Sequence, residues 1–595
     1  MSLRTDMSRI LEGMGASTGR ALGPARWIDW DIPLVPHRTI RPEDVEDEVE
    51  RFGRARGRAL EYVSHLQAET THRIGPFEGK VFESQAMMIE DPDLVRGTLS
   101  YVRDNYVCAE RAFDWQILEM RLRMQESAHA MLVDRLADLH DVRVRVLSHL
   151  LGRGDPSDLV IEGEEPAILV GSELPPSIAA RLDPERILGV VLSGGSRGAH
   201  GVILARALGI PVVVAVGAPL RSIGESDRLL VDGRTGELRI NPSPQEVEGY
   251  HRAVAQATHR REALQKVAGR PTETMDGVRT VVQANLDLPH EAEDALRLGA
   301  DGVGLFRSEF LVIGRREIPA EEDQLQAYRS VLEAFPDREV TLRTFDIGGD
   351  KFPLFLQMPP EDNPYLGWRA IRICLDMPDL FRNQLSAAVR ASTSGNLRLL
   401  IPFVCTVEEM QRTRDMLTEV YSSLGLADSG ARLPLGVMVE TPAAVETLDL
   451  LAPYVDFVSL GTNDLTQYVL AADRGNGHLG KLYDPLHPAL VRMYRRVVKE
   501  SARHGLDLSV CGELAGDPLG VAALLGLGYR KFSVSVRSLP EIRDLIRNVS
   551  AKELGKLMRK LDRAESGNEM RRVLAHYLAD RGLLPEQAAV ELSKE

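Results

Sequence analysis

Apolar and polar positions follow three different rhythms along this chain. Between about Pro42 and Leu151, apolar residues recur three and four apart among dense charge, as in VEDEVERFGRARGRALEYVSHL and LVDRLADLHDVRVRVLSHLLG. That is the period of helices with one buried stripe. Before this block, a Gly-rich segment from Gly13 to Ala25 leads into a short strand-like stretch. After Gly154 come short β-branched runs set between Gly and Pro: PAILVG, ILGVVLSGG, PVVVAVG and LLVDGRTGELRI. They read as strands of an α/β domain. Such strands need more partners than this segment holds, so the N-terminal stretch is expected to join them, with the helical block as an insertion. A polar helical connector follows Asn241-Pro242, from about Gln245 to Ala268.

From about Arg270 the third rhythm begins, strand-like and helical segments in regular alternation. The candidate strands are TVVQANL, GVGLFRSEF, EVTLRTFDIGG, LRLLIPFV, LPLGVMVET, FVSLGTND, LDLSVCGEL and KFSVSVRSL. About eight β/α units in some three hundred residues is the size of a TIM (β/α)8 barrel, and an open doubly wound sheet is the alternative. The barrel is preferred because polar and charged residues gather where the apolar strands end, the face on which such barrels carry their sites.

A chain of 595 residues exceeds what one core supports, so several domains are expected. The formal net charge of -15 speaks against a general hold on nucleic acid or anionic lipid, so an anionic substrate needs a local basic site. No apolar run suits a signal peptide or a membrane span, which gives the expectation of a cytoplasmic protein. The four cysteines, Cys108, Cys374, Cys405 and Cys511, lack paired spacing, which argues against a zinc site or a disulfide framework.

The strand ends carry a coherent set: Arg307 after GVGLF, Arg343 after VTL, Glu440 after GVMV, Asn463 and Asp464 after VSLGT, and Cys511 after LSV, with Arg369 and Arg474 in following loops. Any one would pass as a rim residue or a structural ion pair. Together the guanidiniums offer bidentate donors to phosphate and carboxylate, while Glu440 and Asp464 suit a hard divalent cation, Mg²⁺ above all. A small substrate with phosphate near carboxylate fits them. Cys511 is either a packed hydrophobe or, at that mouth, an acid or base beside a carbon centre.

His200 lies between VVLSGGSRGA and GVILARALGIPVVV, on a Gly-rich turn that opens a helix. Helix N-termini favour phosphate, and Arg197 adds charge. Neither a Walker loop nor a GxGxxG fingerprint is present. The residue reads either as a nucleophile that carries phosphate covalently or as a turn histidine capping its own helix.

The strings DGVGLFRSEFL, LRTFDIGGDK, NPYLGWRAIRI, GVMVETPAA, SLGTNDLTQYVLAADRGN and CGELAGDP closely resemble enzyme I of the bacterial phosphoenolpyruvate:sugar phosphotransferase system, and the resemblance runs over essentially the whole chain. It implies a phosphoryl transfer from phosphoenolpyruvate to His200 and on to a histidine of an HPr-like carrier, with pyruvate released. It assigns substrate binding to Arg307, Arg343, Arg369, Asn463, Asp464 and Arg474, metal binding to Glu440 and Asp464, and proton donation to Cys511. It also implies a multidomain α/β architecture: a swivelling phosphohistidine α/β domain (1–40 and 152–243) with an inserted helical carrier-binding domain (41–151), a linker helix (244–269), a C-terminal TIM barrel (270–580) that forms a homodimer, and a tail (581–595). Around the histidine the sequence departs from the family pattern. Gly198-Ala199-His200 stands where two hydroxyl residues usually precede the histidine, and Pro175 stands where a threonine is usual.

Two rival readings are weighed. Pyruvate phosphate dikinase and phosphoenolpyruvate synthase need a nucleotide-grasping domain of some hundreds of residues, for which the N-terminal ~150 residues, which are helical, are too few. A non-catalytic sensor would retain the barrel but not the transfer. In the helical block, Met87 and Met88 are either an adaptable partner surface or core.

Overall fold

The β-branched runs form strands because neighbouring strands cover their backbone polar groups while their branched side chains pack on both faces. The computed structural model describes residues 9–584 except 18, 29, 31, 74–78, 80, 127–130, 154–164, 197–198, 225–226, 267, 313–316, 349–355, 357–360, 428–429, 431, 474–478 and 480–481. The chain divides into two compact units, Met1–Gln256 and Ala257–Glu595.

In the first unit, strands β1 (Arg9–Glu12), β2 (Met14–Gly15), β3 (Arg20–Trp27), β4 (Ala167–Gly171), β5 (Ile187–Leu192), β6 (Val212–Val214), β7 (Arg228–Asp232) and β8 (Glu237–Ile240) form one sheet in the order β1-β8-β7-β3-β4-β5-β6-β2. Strand β3 lies parallel to β4 and antiparallel to β7. The N-terminal stretch thus joins the later strands. Between β3 and β4 the chain runs through α1 (Val45–Arg73), α2 (Val81–Glu90), α3 (Pro92–Asn105), α4 (Ala109–Glu126) and α5 (Met131–Leu150). The stripe expected of these helices is buried: Phe52, Ala59, Val63, Phe82, Ile89, Phe113, Val142 and Val146 form an apolar cluster. That cluster continues into Leu169, Ile178, Val190 and Leu204 of the α/β part, so the insertion shares a core with its host. Beyond β4 lie the short helix α6 (Pro176–Ala179), α7 (His200–Ala207) and α8 (Pro244–Lys266), within which the two units meet in sequence.

In the second unit all eight candidate strands are present as β10 (Arg279–Leu286), β11 (Val303–Phe306), β12 (Val340–Arg343), β13 (Leu397–Ile401), β14 (Leu435–Val439), β15 (Phe457–Leu460), β16 (Asp507–Val510) and β17 (Lys531–Ser535). Each is parallel to the next, and β10 closes the ring by pairing with both β11 and β17. The short β9 (Thr272–Glu273) adds antiparallel to β10. The sheet is therefore a closed barrel, not an open wound sheet. Burial on both faces explains why β14 reads as a continuous apolar run and β13 as one broken only by Arg398. At the N-terminal ends of the strands, Asp507 bridges Arg398 at 2.8 Å and Lys531 at 2.6 Å, and Glu339 pairs with both cations. The Arg398 guanidinium lies 3.5 Å from the centre of the Phe457 ring. This end is closed by mutually neutralised charge, and the open chemistry lies at the other.

A single carboxylate fastens the C-terminal helices to the barrel. Asp276 accepts the backbone N–H groups of Ala551 and Lys552, both at 2.9 Å, while Ser550 caps Glu553 in the same first helical turn. The Thr274 hydroxyl, 2.6 Å away, is the main reason Asp276 is held far below the ordinary carboxylate range. A lowered value means stability present above the unfolded pKa of about 4 and lost as pH falls below it. Asp276→Ala is expected to cost about 1 kcal/mol at neutral pH, the usual worth of such a cap. In urea denaturation the gap from wild type should narrow steadily below pH 4.

Candidate active site

The barrel strands end on the predicted residues. Arg343 is the last residue of β12, and Arg307, Glu440 and Cys511 directly follow β11, β14 and β16. Asn463 and Asp464 occupy the first turn of the helix Thr462–Leu470 after β15. Arg369 comes from the loop between β12 and β13, while Arg474 and Arg197 lie outside the described residues.

Arg343, Arg369 and Asp464 form one buried charge network with Glu309 and Asp346. The Arg369 guanidinium donates to Asp346 at 2.9 and 3.2 Å and to Asp464 at 3.0 Å, and it reaches the Tyr468 hydroxyl at 3.1 Å. Arg343 pairs with Glu309 and lies 3.2 Å from Asp346. The Arg307 side chain is 38% exposed and pairs with Asp287 at 2.6 Å, so it is the guanidinium of the three that most faces solvent. Phe403 is clamped between Arg369 and Arg372, each 4.8 Å from its ring centre. Its φ of +60° is rare for a residue with a side chain. That backbone directs the Phe403 N–H to Glu440 Oε1 at 2.7 Å.

Glu440 is the least settled charge in the network. Burial, reinforced by Asp464 and Asp346, pushes it up to about 8 despite the attraction of Arg343 and Arg369. A cation between Glu440 and Asp464 would remove that penalty, so these residues fit a hard divalent ion. Among the described residues no group of three or more His, Cys, Asp or Glu side chains is arranged to hold a metal. Two carboxylates would therefore share the ion with substrate oxygens and water, the habit of Mg²⁺.

Cys511 packs with Leu305, Leu400, Met438 and Phe457 inside the barrel and also belongs to the charged site. The Ser459 hydroxyl donates to its sulfur at 3.1 Å. Burial pushes the thiol up to about 11, with Glu440 adding to the shift and Arg343 and Arg307 opposing it. The thiol stays protonated at neutral pH and is able to give that proton away. Two glycines let the strand-end loops around it pack closely. A Cβ on Gly461 would come within 2.8 Å of Glu440, and one on Gly512 within 1.9 Å of the Thr462 hydroxyl. Asn463 Oδ1 accepts the Glu513 N–H at 3.0 Å, which ties the two loops together.

His200 stands in the other unit as the first residue of α7, with Ala199 at the N-cap. Its Nδ1 is 3.1 and 3.3 Å from the two carboxylate oxygens of Asp138, a fully buried residue of α5.

Three family models cover most of the chain: PEP-utilising enzyme, N-terminal (residues 12–135), mobile domain (163–236) and PEP-binding domain (261–551). The phosphoenolpyruvate-protein phosphotransferase of Staphylococcus carnosus is 34% identical over 96% of this chain and 99% of its own length. Those of Staphylococcus epidermidis and Geobacillus stearothermophilus are 36% and 35% identical over 93% and 92% of this chain and 96% and 95% of theirs. The chain belongs to the phosphoenolpyruvate-protein phosphotransferase family. As a phosphoenolpyruvate-protein phosphotransferase it is a transferase of the phosphotransferase system.

Within this phosphotransferase, several side chains of the network were not singled out from sequence. Glu309 and Asp346 follow Arg307 and Arg343 by two and three residues in the same strings, and buried guanidiniums need such carboxylates. That need was the available signal. Phe403 and Tyr468 gave none, since an aromatic after a strand reads as core. Asp138 gave none either, since it is one of many charges on α5, which also buries Asp141, Arg143 and Arg145.

Proposed function

We propose that phosphoenolpyruvate binds at the barrel mouth through Arg307, Arg343 and Arg369, with Asn463 and Arg474 also holding phosphate, that His200 takes the phosphoryl group, and that an HPr-like carrier protein receives it while pyruvate is released. The observation that supports this most is the convergence of three guanidiniums, two carboxylates suited to a metal and a protonated thiol on one end of the barrel. Mg²⁺ held by Glu440 and Asp464 would supply charge stabilisation for the transferring phosphoryl group. The reading extends to residues 41–151 as the carrier-binding domain, 1–40 with 152–243 as the phosphohistidine domain, 244–269 as the linker, 270–580 as a dimeric barrel and 581–595 as a tail, in a cytoplasmic enzyme. Among the described residues no helix is long and apolar enough to cross a membrane.

The chemistry follows from the residues. The guanidiniums orient phosphate and carboxylate and spread the developing charge. As a lone pair of His200 forms the N–P bond, the P–O bond to the enol oxygen breaks and leaves its electron pair there. The resulting enolate takes a proton at its methylene carbon from the Cys511 thiol. Because His200 and the barrel site lie on different units, the reading requires His200 to alternate between barrel and carrier.

Incubation with phosphorus-labelled phosphoenolpyruvate and Mg²⁺ is expected to label the protein in an acid-labile form that disappears in His200→Ala. Acid-stable label, or label that persists in His200→Ala, would sink the histidine assignment. No labelling of the wild type would favour the non-catalytic sensor. Mg²⁺ should also tighten phosphoenolpyruvate binding in calorimetry, and phosphoenolpyruvate should tighten Mg²⁺ by the same factor. Binding of each unaffected by the other would remove the shared site.

A further inference from the structure

One residue of the barrel mouth keeps a backbone conformation that its own type disfavours. Phe403 lies two residues past the end of β13, whose parallel neighbour β14 leads directly into Glu440. Its φ of +60° belongs to the left-handed region, where a Cβ crowds the following carbonyl. Contacts on both sides hold it there. The buried ring sits between the Arg369 and Arg372 guanidiniums and meets the Tyr468 ring edge-on, with centres 5.8 Å apart. Arg372 is itself fixed, since the carbonyls of Leu366 and Gly367 accept from it at 2.9 and 2.8 Å. Along the backbone, the carbonyl of Val404 accepts the Thr441 hydroxyl at 2.8 Å. So held, the Phe403 N–H donates to Glu440 Oε1 at 2.7 Å. The second oxygen, Oε2, faces Gly461, where a Cβ would stand only 2.8 Å from it. Glycine at 461 leaves that oxygen unobstructed, and Asp464 follows in the first turn of the helix that Gly461 caps.

We propose that Phe403 is a positioning residue for the metal-binding carboxylate, a proposal that rests on the reading of Glu440 and Asp464 as the ion's protein ligands. A carboxylate with one oxygen tied to a fixed backbone donor cannot turn without breaking that bond, so Oε1 is occupied by the Phe403 N–H and Oε2 is left for the ion. Without the N–H, nothing opposes the pull of Arg343 and Arg369 on both oxygens. With it, the carboxylate is ordered when the chain folds and not when the ion arrives, which favours binding. The ring acts one step further back. Stacked between two guanidiniums, it keeps the backbone left-handed and thereby keeps the N–H aimed at Glu440.

The test compares two substitutions in the full chain, with Mn²⁺ as the probe ion, titrated at saturating phosphoenolpyruvate and followed by the paramagnetic resonance signal of the unbound ion. Phe403→Ala and Phe403→Gly both remove the ring and its stacking, but only glycine takes the left-handed conformation without a Cβ penalty. Phe403→Ala is expected to weaken Mn²⁺ binding about tenfold, the worth of one hydrogen bond to a charged group, while Phe403→Gly stays within about threefold of wild type. A loss in the glycine variant as large as that in the alanine variant would place the whole effect in ring packing and overturn the proposal, as would wild-type affinity in both. If Phe403→Ala fails to fold, a tenfold loss in a folded Phe403→Gly overturns it alone. Wild-type Mn²⁺ affinity in Glu440→Gln would instead sink the metal-ligand reading on which it stands.

Discussion

Cys511→Ser is expected to fold and to bind phosphoenolpyruvate like the wild type, yet to form pyruvate on the order of a hundredfold or more slowly. The substitution keeps the size and the Ser459 contact approximately in place. It replaces a thiol near 11 with an alcohol, a much weaker acid, over a carbon that must gain a proton. Phosphoryl exchange between His200 and a phosphorylated carrier should continue, since that step does not involve the barrel. Measuring both activities in one preparation separates the outcomes. Normal pyruvate formation would leave Cys511 as a filler of the apolar cluster with Leu305, Leu400, Met438 and Phe457, and loss of both activities would signal a damaged fold.

Arg369 should be the least replaceable of the three guanidiniums. It is 2% exposed and divides its donors between Asp346 and Asp464 while a third contact reaches Tyr468. Arg369→Met would take the guanidinium from buried Asp464 and leave Asp346 with Arg343 alone, and removing one partner of a buried pair costs about 3–5 kcal/mol in comparable cases. Arg369→Lys keeps the charge but cannot span two carboxylates with one planar fork. We expect the lysine variant to fold with reduced stability and to lose phosphoenolpyruvate binding by more than about a hundredfold, the worth of two charge-assisted hydrogen bonds. Calorimetric titration of that variant checks the binding, and denaturation of the methionine variant checks the stability. Wild-type affinity in Arg369→Lys would show that the guanidinium organises the two aspartates and nothing more.

How much of this was legible beforehand varied with the kind of interaction. The barrel strands were visible because parallel strands covered on both faces leave largely apolar runs, LGVMV without a break and LRLLI with a single arginine. Arg343, Glu440 and Cys511 were visible because a polar or reactive residue after such a run has only the barrel mouth to occupy. Partners distant in sequence were not. Asp138 precedes His200 by 62 residues, and Arg369 precedes Asp464 by 95, so no local rhythm joins either pair. The backbone of Phe403 was equally hidden, since its left-handed conformation is held by tertiary contacts to Glu440 and two arginines rather than by its own preference.

The closeness of residues 462 and 512 also bears on how this sequence is able to drift. A Cβ at 512 would collide not only with the Thr462 hydroxyl but with the Thr462 backbone nitrogen, at 2.6 Å. Trimming Thr462 to a smaller residue therefore frees no room, and no single compensating change at its neighbour rescues a larger residue at 512. Mutational paths that tune the thiol's reach have to pass through other positions, such as Ser459 or Asn285, whose amide holds the Cys511 carbonyl at 3.2 Å. In a deep library of variants selected for turnover, position 512 should stay glycine while 459 and 285 accept alternatives.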